Sequence, residues 1–401
     1  MKYFLRASAT ACMGLTSLNL TAIQGNLQSS SGYVASSMGG ATVAQFSNEF
    51  DAVIDNPALM QMTKTAPGAH KFSLGLEYAS YPNKFQSTPN AEAKGKLDTA
   101  YIPFLGYFYN FSERMKFGTG LFAIGGTGWD YTNSSVAAYK TKGLYAAISV
   151  PLAMSYKVTD DFNVGVSLNL VYTQLSSNNF TLKDTKASSM SITPSFGASY
   201  ALTNTWTLGA DFGLGTTSKY KELLYTSATS AHDVKIGTPL QFSLGIGQNT
   251  EYYSFGFKYR FVNWKNTEYY KQLNWQDQHT FSLGGQYKAM QDLALRAGIY
   301  YVTSVYKDKS GVNGDQTIDF QGVSLPKFNR DFTNAMSFGI PQWQYAIGAG
   351  YMMAQKSELN FGFIYEPEAS ITFSGTKSTG AYEIKKKNSN LQIFFTFNQE
   401  V

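Results

Sequence analysis

The 401-residue sequence is poor in the residues that mark most enzymes and disulfide-rich proteins. It holds one cysteine, three histidines and eleven prolines. The cysteine, Cys12, falls near the start, so the remainder has no thiol and no disulfide framework. His70, His232 and His279 stand far apart, in no metal-ligand spacing, and no Gly-x-Ser-x-Gly elbow occurs. Hydrolysis by a nucleophile, a base and an orienting group held in contact thus has no visible basis. The chain reads as a non-enzyme with no metal and no cofactor. Charge is also scarce, at 15% of residues against about 25% in soluble domains. The net charge of +5 forms no basic, aromatic-interleaved patch, so nucleic acid is not an expected partner. No run of ~18 apolar residues occurs, which excludes membrane-spanning helices.

What the chain has instead is 36 glycines, 29 phenylalanines and 28 tyrosines, with a mean hydropathy of −0.21. Strands that alternate apolar and polar give such a near-neutral average. The alternation is explicit. "YYSFGFKYRF" sets Phe255, Phe257, Tyr259 and Phe261 against Ser254, Gly256, Lys258 and Arg260. "FNVGVSLNLVYT", "HKFSLGLEY" and "LQIFFTF" repeat the pattern. Successive strand side chains point to opposite faces, so each segment has one oily and one polar side. The polar faces, rich in Gly, Ser, Asn and charge, predict a wet interior.

Connection lengths alternate too. Short turns fall at "NFSER", "KVTDDF", "ALTNTW", "GQNTEY", "KAMQDL" and "MAQKSE". Long polar stretches lie near 82–98, 127–143, 175–188, 217–235, 265–277, 305–340 and 368–388. Short turns at one rim and long loops at the other are the signature of an outer-membrane barrel, and the segments between them number about fourteen. An all-β transmembrane antiparallel barrel is the predicted fold. In lipid such a sheet must close, because no backbone group there can be left unpaired.

Three parts follow. Residues 1–22 read as an export signal, with Lys2 and Arg6 in its charged region and cleavage after Ala22. Residues 69–401 make the barrel. Residues 23–68, small-residue-rich and without strong alternation, suit an N-terminal plug, because a fourteen-stranded lumen is too wide for its own side chains to fill. Gly39 and Gly40 permit tight turns. Pro57 fixes its own φ and pushes Asn56 out of the helical region. The alternative is that Asn56-Pro57-Ala58 is only a turn before the first strand.

"MGGATVAQFSNEFDAVIDNPALM" resembles the N-terminal hatch signature of the FadL/TodX outer-membrane transporters, a small-residue run followed by Asn-Pro-Ala. "YFYNFSERMKFGTGLFAIGGTGWDY" resembles their second and third strands, and "GTPLQFSLGIGQNTEYYSFGFKYRFVNWKN" their eighth and ninth. The likeness runs from about residue 30 onward. It implies uptake of hydrophobic molecules such as long-chain fatty acids or aromatic hydrocarbons across the outer membrane of a Gram-negative bacterium. It also implies that a hatch moves and that a kinked third strand opens sideways. Here that kink falls on Gly125 and Gly126, within Ala123–Gly128; the residues alone equally suit a strand end. Lys258, Arg260 and Arg296 are expected in the lumen, either meeting a ligand head group or pairing with acids there. Lys385–Lys387 are expected at a solvated rim, within reach of lipopolysaccharide phosphates. The expected partners are a hydrophobic ligand, membrane lipid and lipopolysaccharide, with the chain a monomer. The alternatives are a structural or secretion-associated barrel without transport, and a lipid-processing barrel enzyme.

Overall fold

The computed structural model describes residues 27–136, 140–178, 184–227, 229–354 and 356–401. The expected export signal, with Cys12, lies outside them. Among the described residues fourteen strands close into one ring. They are β1 (His70–Ser80), β2 (Thr99–Asn110), β3 (Met115–Asp130), β4 (Lys142–Lys157), β5 (Phe162–Ser177), β6 (Thr185–Ala201) and β7 (Trp206–Gly213). Then follow β8 (Gln241–Asn249), β9 (Tyr253–Val262), β10 (Gln278–Lys288), β11 (Leu293–Val302), β12 (Trp343–Ala354), β13 (Ser357–Lys377) and β14 (Gly380–Glu400). Each pairs antiparallel with its predecessor, and β1 pairs with β14, which closes the sheet. Closure leaves no strand edge to be satisfied in lipid.

The period-2 pattern decides the faces. Phe72, Leu74 and Leu76 are exposed on the outside of β1, while Ser73, Gly75 and Glu77 are buried within. The outer surface ends in aromatic residues on both sides: Tyr156, Tyr200 and Tyr287 near the short turns, and Tyr101, Trp343 and Tyr345 near the long connections. Such girdles flank the apolar band of a membrane barrel.

The long connections are more structured than the sequence predicts. Thr216–Ser227 and Ser230–Thr238 form a hairpin, and residues 305–340 hold a small hairpin (Thr317–Phe320, Val323–Pro326) followed by a helix, Lys327–Ser337. The stretch 368–388, expected as a loop, is continuous strand: β13 and β14 run on together to a two-residue turn. Their outer halves turn Ile371, Phe373, Tyr382 and Ile384 into an apolar cluster with the loops. Their polar composition reflects a position above the lipid. The rim expectation for Lys385–Lys387 also fails at its centre. Lys386 is buried, and its Nζ donates to the main-chain oxygens of Met336 (3.2 Å) and Phe338 (2.6 Å), closing the helix C-terminus.

Residues 29–62 lie inside the ring. They contain α1 (Tyr33–Ser36), α2 (Glu49–Asp55) and a 3₁₀ turn, Pro57–Met62; the loop helix Lys327–Ser337 is α3. α2 starts where the Asn48 side chain accepts from Asp51 N, with Glu49 and Asp51 in its first turn. It stops at Asn56, which is extended ahead of Pro57.

Inward-facing glycines of the wall meet this segment. A Cβ on Gly209 (β7) would lie 1.9 Å from Val43 O, one on Gly284 (β10) 2.1 Å from Met38 O, and one on Gly298 (β11) 2.1 Å from Met38 C. These are contacts with main chain, which cannot yield as a flexible side chain does. Several of the glycines pair across strands, as Gly209↔Gly245, Gly256↔Gly284 and Gly284↔Gly298. The wet interior predicted from such glycines is corrected here: they form a bare backbone collar on which the N-terminal segment packs.

Candidate functional site

Asn56, Pro57 and Ala58 sit at the centre of that packing. The Asn56 amide nitrogen donates to Val43 O (2.7 Å) and to Ala198 O of β6 (3.2 Å), and its oxygen accepts from Ala58 N (3.1 Å). One buried side chain thus ties the segment to itself and to the wall. Gly165 of β5 and Gly197 of β6 face the motif, and a Cβ on either would come within 2.5 Å of it. Gly39 and Gly40 both have positive φ, 63° and 72°. They turn the chain against Ile299 of β11 and against Ser29, where no Cβ fits.

An acidic knot holds the segment together. Asp51 accepts from Ala35 N (2.6 Å) and Ser47 Oγ (2.9 Å). Asp55 accepts from Ser30 Oγ (2.8 Å) and Thr42 Oγ1 (2.6 Å). Burial, reinforced by the Asp55 carboxylate, pushes the Asp51 carboxyl up to about 7. Glu49, two residues before it in the same turn, is held below its usual value by Lys71, 2.7 Å distant.

Asp55 also borders a lumen cavity of about 110 Å³, with Asp211, Lys258, Arg260, Gln241 and Ile124. Lys258 Nζ lies 3.5 Å from Ser29 O, and Arg260 donates to Gln28 O (2.9 Å) and Tyr300 Oη (3.0 Å). Arg260 Nε has no partner. Two of the three lumen cations expected from sequence therefore share one cavity. Arg296 does not join them. It lies toward the short-turn end, bonded to Gln286 (2.7 Å) and Asn360 (2.7 Å) and paired with Glu358 (3.4 Å). There it lines an open vestibule of about 870 Å³.

The wall is incomplete beside this cavity. β2 and β3 pair only from Leu105↔Leu121 to Asn110↔Lys116. Beyond Leu121, β3 continues on β4 alone, with a register shift between Ala123 and Gly125 that leaves Ile124 as the extra residue. A bulge bends its strand, and Gly125 and Gly126 offer no side chain to hold it flat. The irregularity is at the place where the resemblance implies a kink. Tyr33 reaches the released part of β2, donating to Ile102 O (2.9 Å). Its ring stacks on Phe394 of β14 at 5.2 Å.

The same strand leads outward. Trp129, at its far end, lines an apolar pocket of about 90 Å³ with Leu223, Tyr269, Leu273, Phe320 and Leu325 of the outer connections. Thr127, between the two cavities, donates to Ser337 O at the end of α3 (2.5 Å). The sequence singles out Gly125, Gly126, Lys258, Arg260 and Arg296 but not Ile124, Tyr33 or Trp129. Their roles come from which cavity or strand each one touches, and no local pattern encodes that.

The profile of the outer membrane transport protein family (OMPP1/FadL/TodX) matches residues 15–192 and 192–313. The toluene transporter TodX of P. putida superposes with a TM-score of 0.67 at 18% identity, covering 92% of this chain and 99% of that one. The toluene transporter TbuX of Ralstonia pickettii gives 0.67 at 17%, covering 92% and 98%. A Pseudomonas aeruginosa FadL homologue gives 0.65 at 15%, covering 95% and 99%. No curated protein sequence matches. The structural likenesses establish the fold, and the profile, which spans most of the chain, establishes descent: the chain belongs to the OMPP1/FadL/TodX family of outer-membrane transport proteins.

Proposed function

We propose that this barrel takes up hydrophobic molecules, either long-chain fatty acids or aromatic hydrocarbons of the kind the toluene transporters are named for, and releases them sideways between β2 and β3. The observation that carries this is the course of β3. It lines the outer apolar pocket at Trp129, bulges at Ile124 beside the lumen cavity, and is unpaired with β2 over this whole stretch, beyond Leu121. An apolar solute gains about 0.8 kcal/mol per CH₂ withdrawn from water, so the outer pocket can collect it from dilute solution. A carboxylate end, where the ligand has one, would meet Lys258 and Arg260 in the lumen cavity. Residues 23–68 act as a hatch on the barrel of residues 69–401, with Gly39, Gly40 and Asn56-Pro57-Ala58 as its turn and anchor.

Deleting Ile124 tests the exit. Restoring the register should extend the β2–β3 ladder and abolish uptake of labelled fatty acid or toluene by cells, while the barrel still folds by heat-modifiable electrophoresis. Undiminished uptake by that variant would show that the ligand leaves by another route.

A further inference from the structure

Glu77 of β1 and Glu366 of β13 flank β14 from its two sides, opposite Phe394 and Asn390 respectively. Both point inward and are buried, 4% and 1% exposed. Glu77 Oε1 and both carboxyl oxygens of Glu366 make no hydrogen bond of normal length and angle; the one polar side chain near enough to influence Glu366 as a donor is the neutral amide of Asn390. Among the described residues no lysine, arginine or histidine forms an ion pair with either acid. Buried carboxylates are ordinarily paired or bound to a metal, because losing water without compensation costs several kcal/mol per ion.

The two acids border one small cavity of about 10 Å³, closed by Gln344 of β12 and by Ser29, Ser31 and Ser36 of the N-terminal segment. That is room for one water or one ion. Gln344 leaves its amide nitrogen, a donor, unbonded, so it ligates an ion only by turning its amide oxygen toward the cavity. The lining side chains are carboxylates, amides and hydroxyls, with no sulfur or imidazole. No group of three or more acidic, cysteine or histidine residues occurs among the described residues, so the site has two formal negative charges and otherwise neutral ligands. Two charges match a divalent ion, and an irregular all-oxygen set suits calcium better than magnesium, which demands a near-ideal octahedron and gives up water reluctantly.

We propose that Glu77 and Glu366 bind one calcium-class divalent cation between the barrel wall and the N-terminal segment. The wall supplies the charged ligands, and residues 29–36 supply neutral ones. The ion therefore fastens that segment to the strands next to the β2–β3 gap, where Tyr33 also attaches. Its effect on gating rests on the hatch reading above, whereas its binding does not.

The experiment uses the full-length protein, stripped with EDTA in detergent and dialysed against calcium chloride, with elemental analysis and thermal melting as readouts. One calcium per chain and a higher Tm are expected, with magnesium at the same concentration giving a smaller shift. Glu366→Gln should bind at least tenfold more weakly and lose the calcium-dependent shift. The proposal is overturned if the wild-type protein holds no stoichiometric calcium. It is equally overturned if Glu366→Gln holds as much, as calcium carried by lipopolysaccharide alone would give. Should the variant not fold, the wild-type stoichiometry decides. Bound calcium that leaves bilayer conductance unchanged on EDTA treatment would support the site and count against the hatch.

Discussion

Two seams of one barrel are built in opposite ways. Between β13 and β14 the ladder runs from Ser357↔Gln399 to Lys377↔Gly380, broken only by a shift after Glu366. Between β2 and β3 it stops at Leu105↔Leu121. Both strand pairs cross the same membrane band, so lipid does not explain why the β2–β3 ladder stops within it. The long seam carries inward side chains that pack, such as Phe394 against Tyr33 and Ile384 and Phe373 within the outer cluster. The short seam ends at Leu121, three residues before a bulge at Ile124 and two residues with no side chain, Gly125 and Gly126. A closed sheet tolerates such a gap only if something else satisfies and supports the loosened strand, and here the N-terminal segment lies against it. The lesson is that closure of a membrane barrel can be delegated locally to what fills it.

The strongest test removes that filling. Deleting residues 25–65 while keeping the export signal should convert a barrel of little conductance into one with large, steady pores in planar bilayers, with selective uptake lost. Full-length protein that already conducts as strongly would make the segment no plug at all. Next in size is a charge on the closed seam. Phe361, 50% exposed on β13 and opposite Phe395, faces lipid near mid-depth. Phe361→Arg should cost roughly 2–4 kcal/mol of folding stability, measured as a lower urea midpoint for folding into vesicles. An unchanged midpoint would contradict the assigned face.

A smaller effect is expected at the collar. Gly209→Ala places a methyl on the main chain of Val43, and overpacking of this kind costs about 1–3 kcal/mol. The segment should become open to protease, whereas Gly95→Ala, whose Cβ would find ordinary contacts at 3.5 Å or more, should not change it. Cleavage at equal rates would show that the collar does not hold the segment. At the short seam itself, Tyr33→Phe removes the hydrogen bond to Ile102 O, worth about 0.5–1.5 kcal/mol. Faster amide exchange confined to residues 99–104 is the expected readout, and uniform exchange would sink the bracing role.

The smallest effect is a pH dependence. Asp51 is pushed up to about 7 by burial and by Asp55, above its unfolded value of about 4. Its neutral form therefore favours the docked segment. That contribution is full below about pH 4 and is lost as pH rises through about 7. Spontaneous openings in bilayers should grow more frequent from pH 5 to pH 8, and Asp51→Asn should flatten the trend. A wild-type trend of opposite sign would show that another group governs.

The sequence alone determined the fold class, the faces of the strands and the strand number. The physical reason is that a strand in lipid must alternate at period 2 and must be closed, and both demands are local and repetitive. It marked Asn56-Pro57-Ala58 and Gly125-Gly126 because proline and glycine restrict or free the backbone wherever they occur. Tertiary structure decided the rest. Whether Gly284 or Gly298 faces water or the main chain of Met38 depends on a segment about 250 residues away in sequence. Stretch 368–388 looked like a loop because polarity above the lipid is the same for loop and strand, and only pairing between β13 and β14 tells them apart. Lys386 is buried because α3 ends over it, and Arg296 parts from Lys258 and Arg260 because it stands at another depth of the same wall. Glu77 and Glu366, nearly three hundred residues apart, face one cavity only because the first strand and the thirteenth both pair with the last.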